Sequence, residues 1–381
     1  MESKKISALT FNIKEDGWET SKGFIKREID MPVLDEAKNP KDALSVILKI
    51  KYAGVCGSDR GIYNRQAFKD LIFSSLQKEN KDMRILGHEF FGEIQEMGSQ
   101  VSKLYSLAKG DNVSGDSHVT CGECYQCKIG ENNVCTNEAI LGISIDGIFA
   151  EYVKIPAKNL WKVNPEKVRP EICAIYDPFG NAVHAVSKTK TKNQTVAIFG
   201  AGPIGLFSVA LQKHFGASKI IAVDINAQNL AMAKKMGADE TILIAGNEDA
   251  SEKIKEMTDG VGVDIAMEMA GPISCVLACI NSARRGGHVI LFGIKDGDFT
   301  IPGFSRIITK GLTMHGVIGR RIFETWKTSD QVLSDKSNGV QDKIWEVILK
   351  KGEGTILPFE NYKIEDFEKS MQEHPKVIFK F

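Results

Sequence analysis

The chain has no excess of charge of either sign, because 49 basic residues balance 49 acidic ones and the formal net charge is zero. Such a balance argues against the broad positive surface with which proteins bind nucleic acid or an anionic membrane. Long hydrophobic runs are missing as well. The most apolar stretch, residues 195–211, is interrupted by three glycines and a proline, so it is a poor membrane span. We therefore expect neither a nucleic acid nor a membrane as a partner.

Signals for export and for repetitive structure are also lacking. The first residues, MESKKISALTF, do not contain the apolar core of a signal peptide. We see no internal repeat and no low-complexity segment. With 381 residues and 43% hydrophobic content, the chain has the composition of a globular protein of about two domains. A cytoplasmic location under reducing conditions is the expectation that follows.

Four cysteines, Cys121, Cys124, Cys127 and Cys135, follow the spacing C-x2-C-x2-C-x7-C. Four thiolates within so short a segment suit Zn²⁺ in a closed structural site. A disulfide pair and an iron–sulfur cluster are the alternatives. The ferredoxin pattern, however, has a shorter last gap and a proline after its final cysteine, whereas Thr136 stands here. The run predicts a structural zinc loop and by itself indicates no reaction.

A second metal site is suggested by two segments on the amino-terminal side of this loop. Cys56 lies in GVCGSD, and His88 and Glu89 lie in LGHEFFGE. One thiolate and one imidazole, with a carboxylate nearby and a coordination position left open, suit a catalytic zinc ion. Ser58 is a candidate proton carrier, and Asp59 a candidate for orienting a ligand. Because single cysteines and histidines are also common core or surface residues, residue type alone leaves this site open.

The chain changes character near residue 195. Residues 6–163 predict many short strands, and residues 45–52 alternate like a half-buried strand. From residue 195 onwards strands alternate with helices, which predicts a doubly wound parallel sheet of the α/β class. We predict a catalytic domain with the structural zinc loop at 1–177, a dinucleotide-binding Rossmann domain at 178–321, and a carboxy-terminal part of the catalytic domain at 322–381.

The segment GAGPIG, residues 200–205, follows a predicted strand and opens a predicted helix. In this context Gly200 permits a tight turn, Gly202 lets a pyrophosphate approach the backbone, and Gly205 allows close packing of helix on strand. Asp224 ends the next strand, where a carboxylate can bind the ribose hydroxyls and would repel the extra phosphate of NADP. NAD is therefore the predicted cofactor. The alternatives are a methyltransferase-type nucleotide site and a simple tight turn.

These motifs together resemble the zinc-dependent medium-chain dehydrogenase superfamily over nearly the whole chain. GVCGSD, LGHEFFGE, the cysteine run and DGIFAEYVKIPAKNLWKV match the superfamily at large. DPFGNAVH followed by GVIGRRIFETW is more similar to the L-threonine 3-dehydrogenases within it. The resemblance implies a GroES-like, mainly β catalytic domain and a Rossmann domain. It also implies transfer of a hydride from a secondary alcohol to NAD⁺, with L-threonine giving L-2-amino-3-oxobutanoate, and one catalytic and one structural Zn²⁺.

The resemblance further assigns roles to individual residues. Cys56, His88 and Glu89 would hold the catalytic zinc, and Ser58 would relay the proton. Asp177 would be the acid beside the metal. His118 would lie near the substrate, although an exposed loop histidine is an equal alternative. The implied NAD contacts are Gly200, Gly202, Pro203, Ile204, Gly205, Asp224, Asn229, Phe292, Gly293, Ile294, Val317, Ile318 and Lys376. For Lys376 the alternative is a surface lysine without contact to NAD. The resemblance also implies a homo-oligomer, either a dimer or a tetramer.

The chain departs from the family pattern at three places. Gly61 stands where members usually carry a histidine of the proton relay, and Asn229 stands for an arginine near the adenosine. The segment of residues 64–84 is longer than the corresponding segment of typical threonine dehydrogenases. These departures keep a polyol or sugar dehydrogenase of the same superfamily open as an alternative. A non-catalytic NAD-binding regulator is the rival of another class, against which the complete catalytic zinc motif argues.

Overall fold

The computed structural model describes residues 4–245, 248–294 and 297–381. The strands are β1 (Lys5–Asn12), β2 (Ile25–Asp30), β3 (Ser45–Val55), β4 (Met83–Ile85), β5 (Glu89–Met97), β6 (Asn112–Gly115), β7 (His118–Val119), β8 (Ala139–Ile140), β9 (Tyr152–Pro156), β10 (Leu160–Lys162), β11 (Thr195–Phe199), β12 (Lys219–Asp224), β13 (Glu240–Leu243), β14 (Val263–Glu268), β15 (Ala283–Leu291), β16 (Thr313–Gly316), β17 (Ile356–Pro358) and β18 (Val377–Lys380). The helices are α1 (Gly57–Tyr63), α2 (Lys69–Glu79), α3 (Val101–Tyr105), α4 (Tyr125–Lys128), α5 (Pro170–Cys173), α6 (Tyr176–Val186), α7 (Pro203–His214), α8 (Ala227–Met236), α9 (Ser251–Glu256), α10 (Ile273–Ser282), α11 (Ser305–Thr309), α12 (Glu324–Ser334), α13 (Val340–Lys343) and α14 (Ile364–Glu373).

The chain forms two compact units. The first comprises Met1–Pro178, Arg321–Trp326 and Leu349–Phe381, and the second comprises Phe179–Arg320 and Lys327–Ile348. The first unit is mainly β, as the sequence pattern predicts. Its largest sheet has the order β10-β6-β5-β3-β18-β17, with β9 also pairing β3, and smaller sheets are formed by β2-β1-β4 and β7-β8.

The eleven-residue strand β3 is the centre of the first unit. It pairs with β5, β9 and β18, and its residues at Val46, Leu48 and Ile50 are buried in the hydrophobic core. Burial of such aliphatic side chains stabilises a core by roughly 1.5–3 kcal/mol each. Because β3 has partners along its whole length, its carboxyl end is held firmly, and this end leads directly into Cys56.

The second unit contains the doubly wound sheet that the sequence predicts. Its six strands are parallel and follow the order β13-β12-β11-β14-β15-β16. The strands β11 and β12 read TVAIF and KIIAVD, and such continuous apolar runs are typical of parallel strands covered on both faces. The chain reverses its direction of winding between β11 and β14, so the crevice at the carboxyl ends of these strands is the expected ligand site.

The segment predicted as the carboxy-terminal part of the catalytic domain, 322–381, is divided between the two units. Residues 327–348 belong to the second unit. Here α13 and the π-helical turn Ile344–Ile348 pack against α7 and α8, and Lys343 donates a hydrogen bond to the carbonyl oxygen of Met236 at 3.3 Å. The reason is the burial of Ile344 and Ile348, whose apolar side chains find their partners on the helices of the Rossmann sheet.

The longer segment at residues 64–84 is folded and packed. It contains α2 and β4. The ring of Phe73 lies 6.1 Å from that of Phe11 and 6.0 Å from that of Trp18, and Arg84 is fully buried. The segment is therefore an integral part of the first unit. Within the ranges that the structure describes, no helix has the length and apolar character needed to cross a lipid bilayer.

Candidate zinc and cofactor sites

The residues predicted to hold a catalytic metal come together in the first unit. The ligand atoms of Cys56, His88 and Glu89 all lie within 4.8 Å of one another. Cys56 follows β3 and caps α1, while His88 and Glu89 stand at the start of β5. Because β3 and β5 are antiparallel, with Gly54 opposite Glu89, the end of one strand meets the beginning of the other. Sheet pairing thus joins two segments that are thirty residues apart.

Asp59 and Ser58 support this cluster from opposite sides of the His88 ring. Asp59 is buried, accepts a hydrogen bond from the Cys56 amide at 2.8 Å, and places Oδ1 3.4 Å from Nδ1 of His88. Ser58 Oγ lies 3.4 Å from Nε2 of the same ring. Burial disfavours the charged imidazole, but Asp59 and Cys56 raise the pKa of His88 well above its usual range. The arrangement orients the imidazole as the carboxylate partners of metal-bound histidines do.

Glu89 forms a fully buried ion pair with Lys376. The Lys376 ammonium group contacts Glu89 Oε2 and donates to the carbonyl oxygen of Val55 at 2.9 Å. The other carboxylate oxygen, Oε1, is buried without a hydrogen-bond partner among the described residues. Burial raises the pKa of Glu89, and Lys376 opposes this shift. An unpaired buried oxygen beside a thiol and an imidazole fits a divalent zinc ion. The Lys376 ammonium group is thus engaged with Glu89 in this structure. Its contact with NAD stays a prediction.

Asp177 is buried near this centre but is not one of the three clustered ligands. Its Oδ2 accepts a hydrogen bond from the Ser117 amide at 3.1 Å, and its charge contributes to the raised pKa of Glu89. The position agrees with an acid close to the metal. Its role as an alternative ligand or as part of the proton path stays a prediction.

His118 is held by two acidic residues and, through one of them, by the FETW segment. Its Nδ1 lies 2.7 Å from Glu138 Oε2, and its amide donates to Asp116 Oδ1 at 3.0 Å. The other oxygen of Asp116 accepts a hydrogen bond from Trp326 Nε1 at 2.8 Å, and the Trp326 ring stacks on Tyr176. His118 is therefore a fixed, half-buried side chain, unlike a freely exposed loop histidine.

Gly61 is packed so closely that a side chain does not fit. A Cβ atom at this position would lie 2.8 Å from the Cβ of Ala67, which belongs to the long segment 64–84. A histidine at position 61, as in the family pattern, would require this segment to move. The absence of a side chain at Gly61 therefore allows Ala67 of the segment 64–84 to pack against α1.

The four cysteines of the predicted structural zinc loop also form one cluster. The Sγ atoms of Cys121, Cys124, Cys127 and Cys135 all lie within 4.8 Å of one another, and all are free thiols, so no disulfide pair forms. The amides of Cys121 and Cys124 point at sulfur acceptors at 3.3 Å. Backbone hydrogen bonds from Cys127 and Thr136 lower the pKa of Cys124 to about 6, which favours the thiolate. Four convergent sulfurs fit a tetrahedral zinc ion.

The glycines of the dinucleotide segment have the geometry that each position requires. Gly200 has a φ of 98°, in the left-handed region. A Cβ on Gly205 would lie 1.9 Å from the Gly200 carbonyl oxygen, so helix α7 approaches β11 closely only without a side chain there. A Cβ on Gly202 would point into open space, at the amino end of α7. The loop therefore has room for a pyrophosphate at the amino end of α7. That the three glycines, Pro203 and Ile204 contact the cofactor stays a prediction.

Asp224 stands at the carboxyl end of β12 beside this loop. Its Oδ2 accepts a hydrogen bond from the Ala201 amide at 2.6 Å, and its Oδ1 accepts one from Asn226 at 2.7 Å. The Asn229 amide lies 3.5 Å from both carboxylate oxygens, so Asn229 steadies Asp224 directly. The pairing places the predicted ribose acid next to the predicted phosphate loop.

The remaining predicted cofactor contacts follow β15 and β16 at the same edge of the sheet. Phe292, Gly293 and Ile294 continue β15, and Val317 and Ile318 continue β16. Sequence reasoning missed Glu268, the last residue of β14, which is buried between these loops. Its signal was a carboxylate that follows the apolar run IAM at the end of the strand VDIAME.

Comparison with known proteins agrees with this geometry. The family "Alcohol dehydrogenase GroES-like domain" matches residues 42–165, and the family "Zinc-binding dehydrogenase" matches residues 203–335. The L-threonine 3-dehydrogenase of Bacillus subtilis strain 168 is 37% identical over 334 residues, which cover 88% of this chain and 89% of the relative. That of Shewanella sp. strain MR-7 is 33% identical over 345 residues, covering 91% and 93%.

Solved structures show the same architecture. A crystal structure described as a short chain alcohol dehydrogenase from Escherichia coli CFT073, complexed with NADH, has a TM-score of 0.80 at 27% identity and covers 100% of both chains. The 2R,3R-butanediol dehydrogenase from Bacillus subtilis has a TM-score of 0.79 at 23% identity, with 99% of each chain covered, and shares the fold. From the two matched families, the extended identity and the zinc cluster it follows that the chain belongs to the zinc-dependent medium-chain alcohol dehydrogenases, oxidoreductases that use zinc and NAD(P).

Proposed function

We propose that this enzyme oxidises the secondary hydroxyl of L-threonine to give L-2-amino-3-oxobutanoate. The carbinol carbon loses a hydride to NAD⁺, and the hydroxyl oxygen loses a proton. The observation that carries the proposal is the cluster of Cys56 with the buried His88 and Glu89, with Ser58 beside it. The choice of substrate is supported by relatives that are named L-threonine 3-dehydrogenase and match most of this chain.

The residues of the first unit prepare the substrate oxygen for this reaction. Cys56, His88 and Glu89 would hold a zinc ion, which supplies a Lewis acid for the substrate hydroxyl. Asp59 keeps the His88 ring in place, and Ser58 Oγ accepts the hydroxyl proton. Because Gly61 carries no side chain, Ser58 gives up its own hydroxyl proton to solvent as it accepts the substrate proton. The zinc sites and the roles of these residues are part of the proposal.

His118 is the residue that we propose for recognition of the amino acid. Glu138 Oε2 accepts the Nδ1 proton of the ring at 2.7 Å, which leaves Nε2 as an acceptor for the substrate ammonium group. Trp326 of the FETW segment steadies this arrangement through Asp116. A polyol can offer only a neutral hydroxyl to this nitrogen, and such a hydrogen bond is weaker than one from a charged ammonium group.

For the cofactor we propose NAD in preference to NADP. Asp224, Asn229 and the glycine loop are in hydrogen-bond contact at the carboxyl ends of β11 and β12. A carboxylate at this position accepts hydrogen bonds from ribose hydroxyls and repels a 2′-phosphate. Phe292, Gly293, Ile294, Val317 and Ile318 are proposed to line the rest of the cofactor site.

The enzyme is also proposed to act as a homo-oligomer in the cytoplasm. Strand β16 is an edge strand of the six-stranded sheet, and Phe299, Phe304 and Ile308 in the segment before it are exposed apolar residues. An open sheet edge beside exposed apolar side chains invites pairing with another chain, here the same edge of a second copy. The cytoplasmic location is supported by the eight free cysteines, which a reducing compartment preserves.

A polyol or sugar dehydrogenase with the same chemistry is the second candidate. Two observations favour it, Gly61 and the packed segment 64–84. Both depart from the threonine dehydrogenase pattern, and both lie at or directly after α1.

A substrate panel distinguishes the two candidates. L-Threonine, L-serine, 2,3-butanediol, sorbitol and glucose are each tested with NAD⁺ and NADP⁺. We expect the highest kcat/KM for L-threonine with NAD⁺, and loss of this activity on Cys56→Ala. Cys173→Ala serves as the matched control, because Cys173 is buried outside both sulfur clusters. Efficient turnover of sorbitol or glucose without turnover of L-threonine would instead establish the second candidate.

A further inference from the structure

We propose that Glu268 is a positioning residue for the dinucleotide, and that its buried carboxylate holds together the loops that form the cofactor crevice. The inference rests on the NAD site proposed above. Glu268 is the last residue of β14 and lies opposite Phe199 of β11 and Leu291 of β15. It therefore stands at the point where the winding of the sheet reverses, which is where nucleotides bind in this fold.

Three backbone N–H groups from two different loops donate to this carboxylate. Oε1 accepts hydrogen bonds from the amides of Ala270 at 2.7 Å and Gly271 at 2.5 Å. Oε2 accepts one from the amide of Gly293 at 3.1 Å. The first two amides belong to the loop after β14, and the third belongs to the loop after β15. One side chain thus bridges the two loops through their backbone amides.

The same loops pack on the phosphate loop without room for side chains. A Cβ on Gly293 would lie 2.2 Å from the Gly271 amide nitrogen and 2.7 Å from Glu268 Oε2. A Cβ on Gly200 would lie 2.9 Å from the Cβ of Ala270. The loop after β14 is therefore wedged between the glycine loop and the loop after β15. Any shift of Ala270 or Gly271 must displace one of its neighbours.

The charge of the carboxylate is important to this arrangement. Glu268 is only 1% exposed, and its hydrogen bonds all come from backbone amides, so their dipoles stabilise its negative charge. Loss of an acceptor at this depth leaves buried amides unpaired, which is costly.

Glu268→Gln is the informative change because it keeps the shape and removes the charge. The amide NH₂ group of glutamine is a donor, so at least one of the two loops must face a donor in place of an acceptor. We expect the Kd for NADH to rise about tenfold, the effect of losing one charge-assisted hydrogen bond. The value of kcat at saturating NAD⁺ should stay within about threefold of wild type, because Glu268 acts through the loops.

Asp264→Asn is the matched control. Asp264 lies on the same strand, β14, but near its amino end. It accepts a hydrogen bond from the backbone amide of Thr195 at 2.7 Å and one from the side-chain Nε of Arg284 at 2.5 Å. The Asp264→Asn variant should have a lower thermal stability, as the Glu268→Gln variant should. Its Kd for NADH should nevertheless stay within about twofold of wild type. NADH binding is titrated by fluorescence, and zinc per chain is measured on the same samples.

The outcomes separate this inference from the proposed function. A rise in Kd confined to Glu268→Gln, with unchanged zinc content, supports the positioning role even if L-threonine is not a substrate, because binding of NADH needs no substrate. Equal rises for both variants, or lower stability with unchanged Kd for Glu268→Gln, would overturn it. Absence of NADH binding to the wild-type protein would overturn both the inference and the NAD site on which it rests.

Discussion

At the scale of single residues, the Glu89–Lys376 pair shows how a carboxylate is tolerated in the interior. Both side chains are almost completely buried, and the pair joins β5 to β18. Removing one partner of a buried ion pair costs about 3–5 kcal/mol, because the other charge is left uncompensated. Lys376→Met is therefore expected to lower the free energy of unfolding by about 3 kcal/mol, measured by urea denaturation. Lys380→Met, on the exposed side of the same strand, should have little effect. Similar losses for the two variants would contradict the assignment.

Asp224 is the residue that we expect to set cofactor preference. Its carboxylate is held by Ala201, Asn226 and Asn229, so Asp224→Ser removes both the ribose acceptor and the repulsion of a 2′-phosphate. The kcat/KM ratio of NAD⁺ to NADP⁺ should fall by about tenfold or more. Asp239→Ser, which removes an acceptor from the opposite end of β12, is the control. A ratio that stays unchanged in Asp224→Ser would refute the assignment.

At the scale of elements, the segment 64–84 ends in a buried arginine, Arg84, that ties α2 to β4 and to Asp146. Arg84 donates to Glu79 at 3.0 Å, Asp146 at 3.2 Å and Ser75 at 3.1 Å. Arg84→Met removes these bonds and should lower the free energy of unfolding by about 2–4 kcal/mol. It should also expose residues 64–84 to proteolysis. Lys78→Met, on the exposed face of α2, provides the comparison, and equal protease resistance of the two variants would show that Arg84 does not hold the segment in place.

The zinc content of the cysteine loop is a second property that can be predicted for a single element. With four converging sulfurs, loss of one ligand should release its metal, so Cys124→Ser is expected to contain about one zinc per chain in place of about two. Thermal stability should fall at the same time. Cys275→Ser, outside both clusters, should retain about two zinc ions per chain. Metal analysis that finds about two zinc ions in Cys124→Ser would exclude the loop as a zinc site.

At the scale of the whole molecule, assembly should depend on the exposed edge of the Rossmann sheet. Ile308→Glu places a charge among the exposed apolar residues that precede β16, and desolvating this charge should weaken association of two copies. Sedimentation velocity should show a shift to a smaller species. Val261→Glu, a similarly exposed position elsewhere in the second unit, should leave the sedimentation coefficient unchanged. A wild-type protein that sediments as a monomer would rule out this assembly.

Much of this architecture could be predicted from local patterns. The alternation in β3, the apolar runs of β11 and β12, the glycine spacing and the cysteine spacing each reflect contacts within a short segment. For this reason the fold class, the two kinds of strand arrangement and the candidate zinc motifs were accessible from residue order. The division of residues 322–381 was not, because α13 looks the same whether it packs on the first unit or on α7 and α8.

Periodicity and motif spacing, which act over a few residues, were enough to indicate zinc and nucleotide sites, and the resemblance of the motifs to a known superfamily implied a dehydrogenase. Folding alone decided which distant groups meet: Lys376 reaches Glu89, Trp326 reaches Asp116, and Glu268 reaches Gly293. A buried charge must find a partner wherever the chain brings one within hydrogen-bond distance. Such pairings depend on strand order and register, which no single segment encodes.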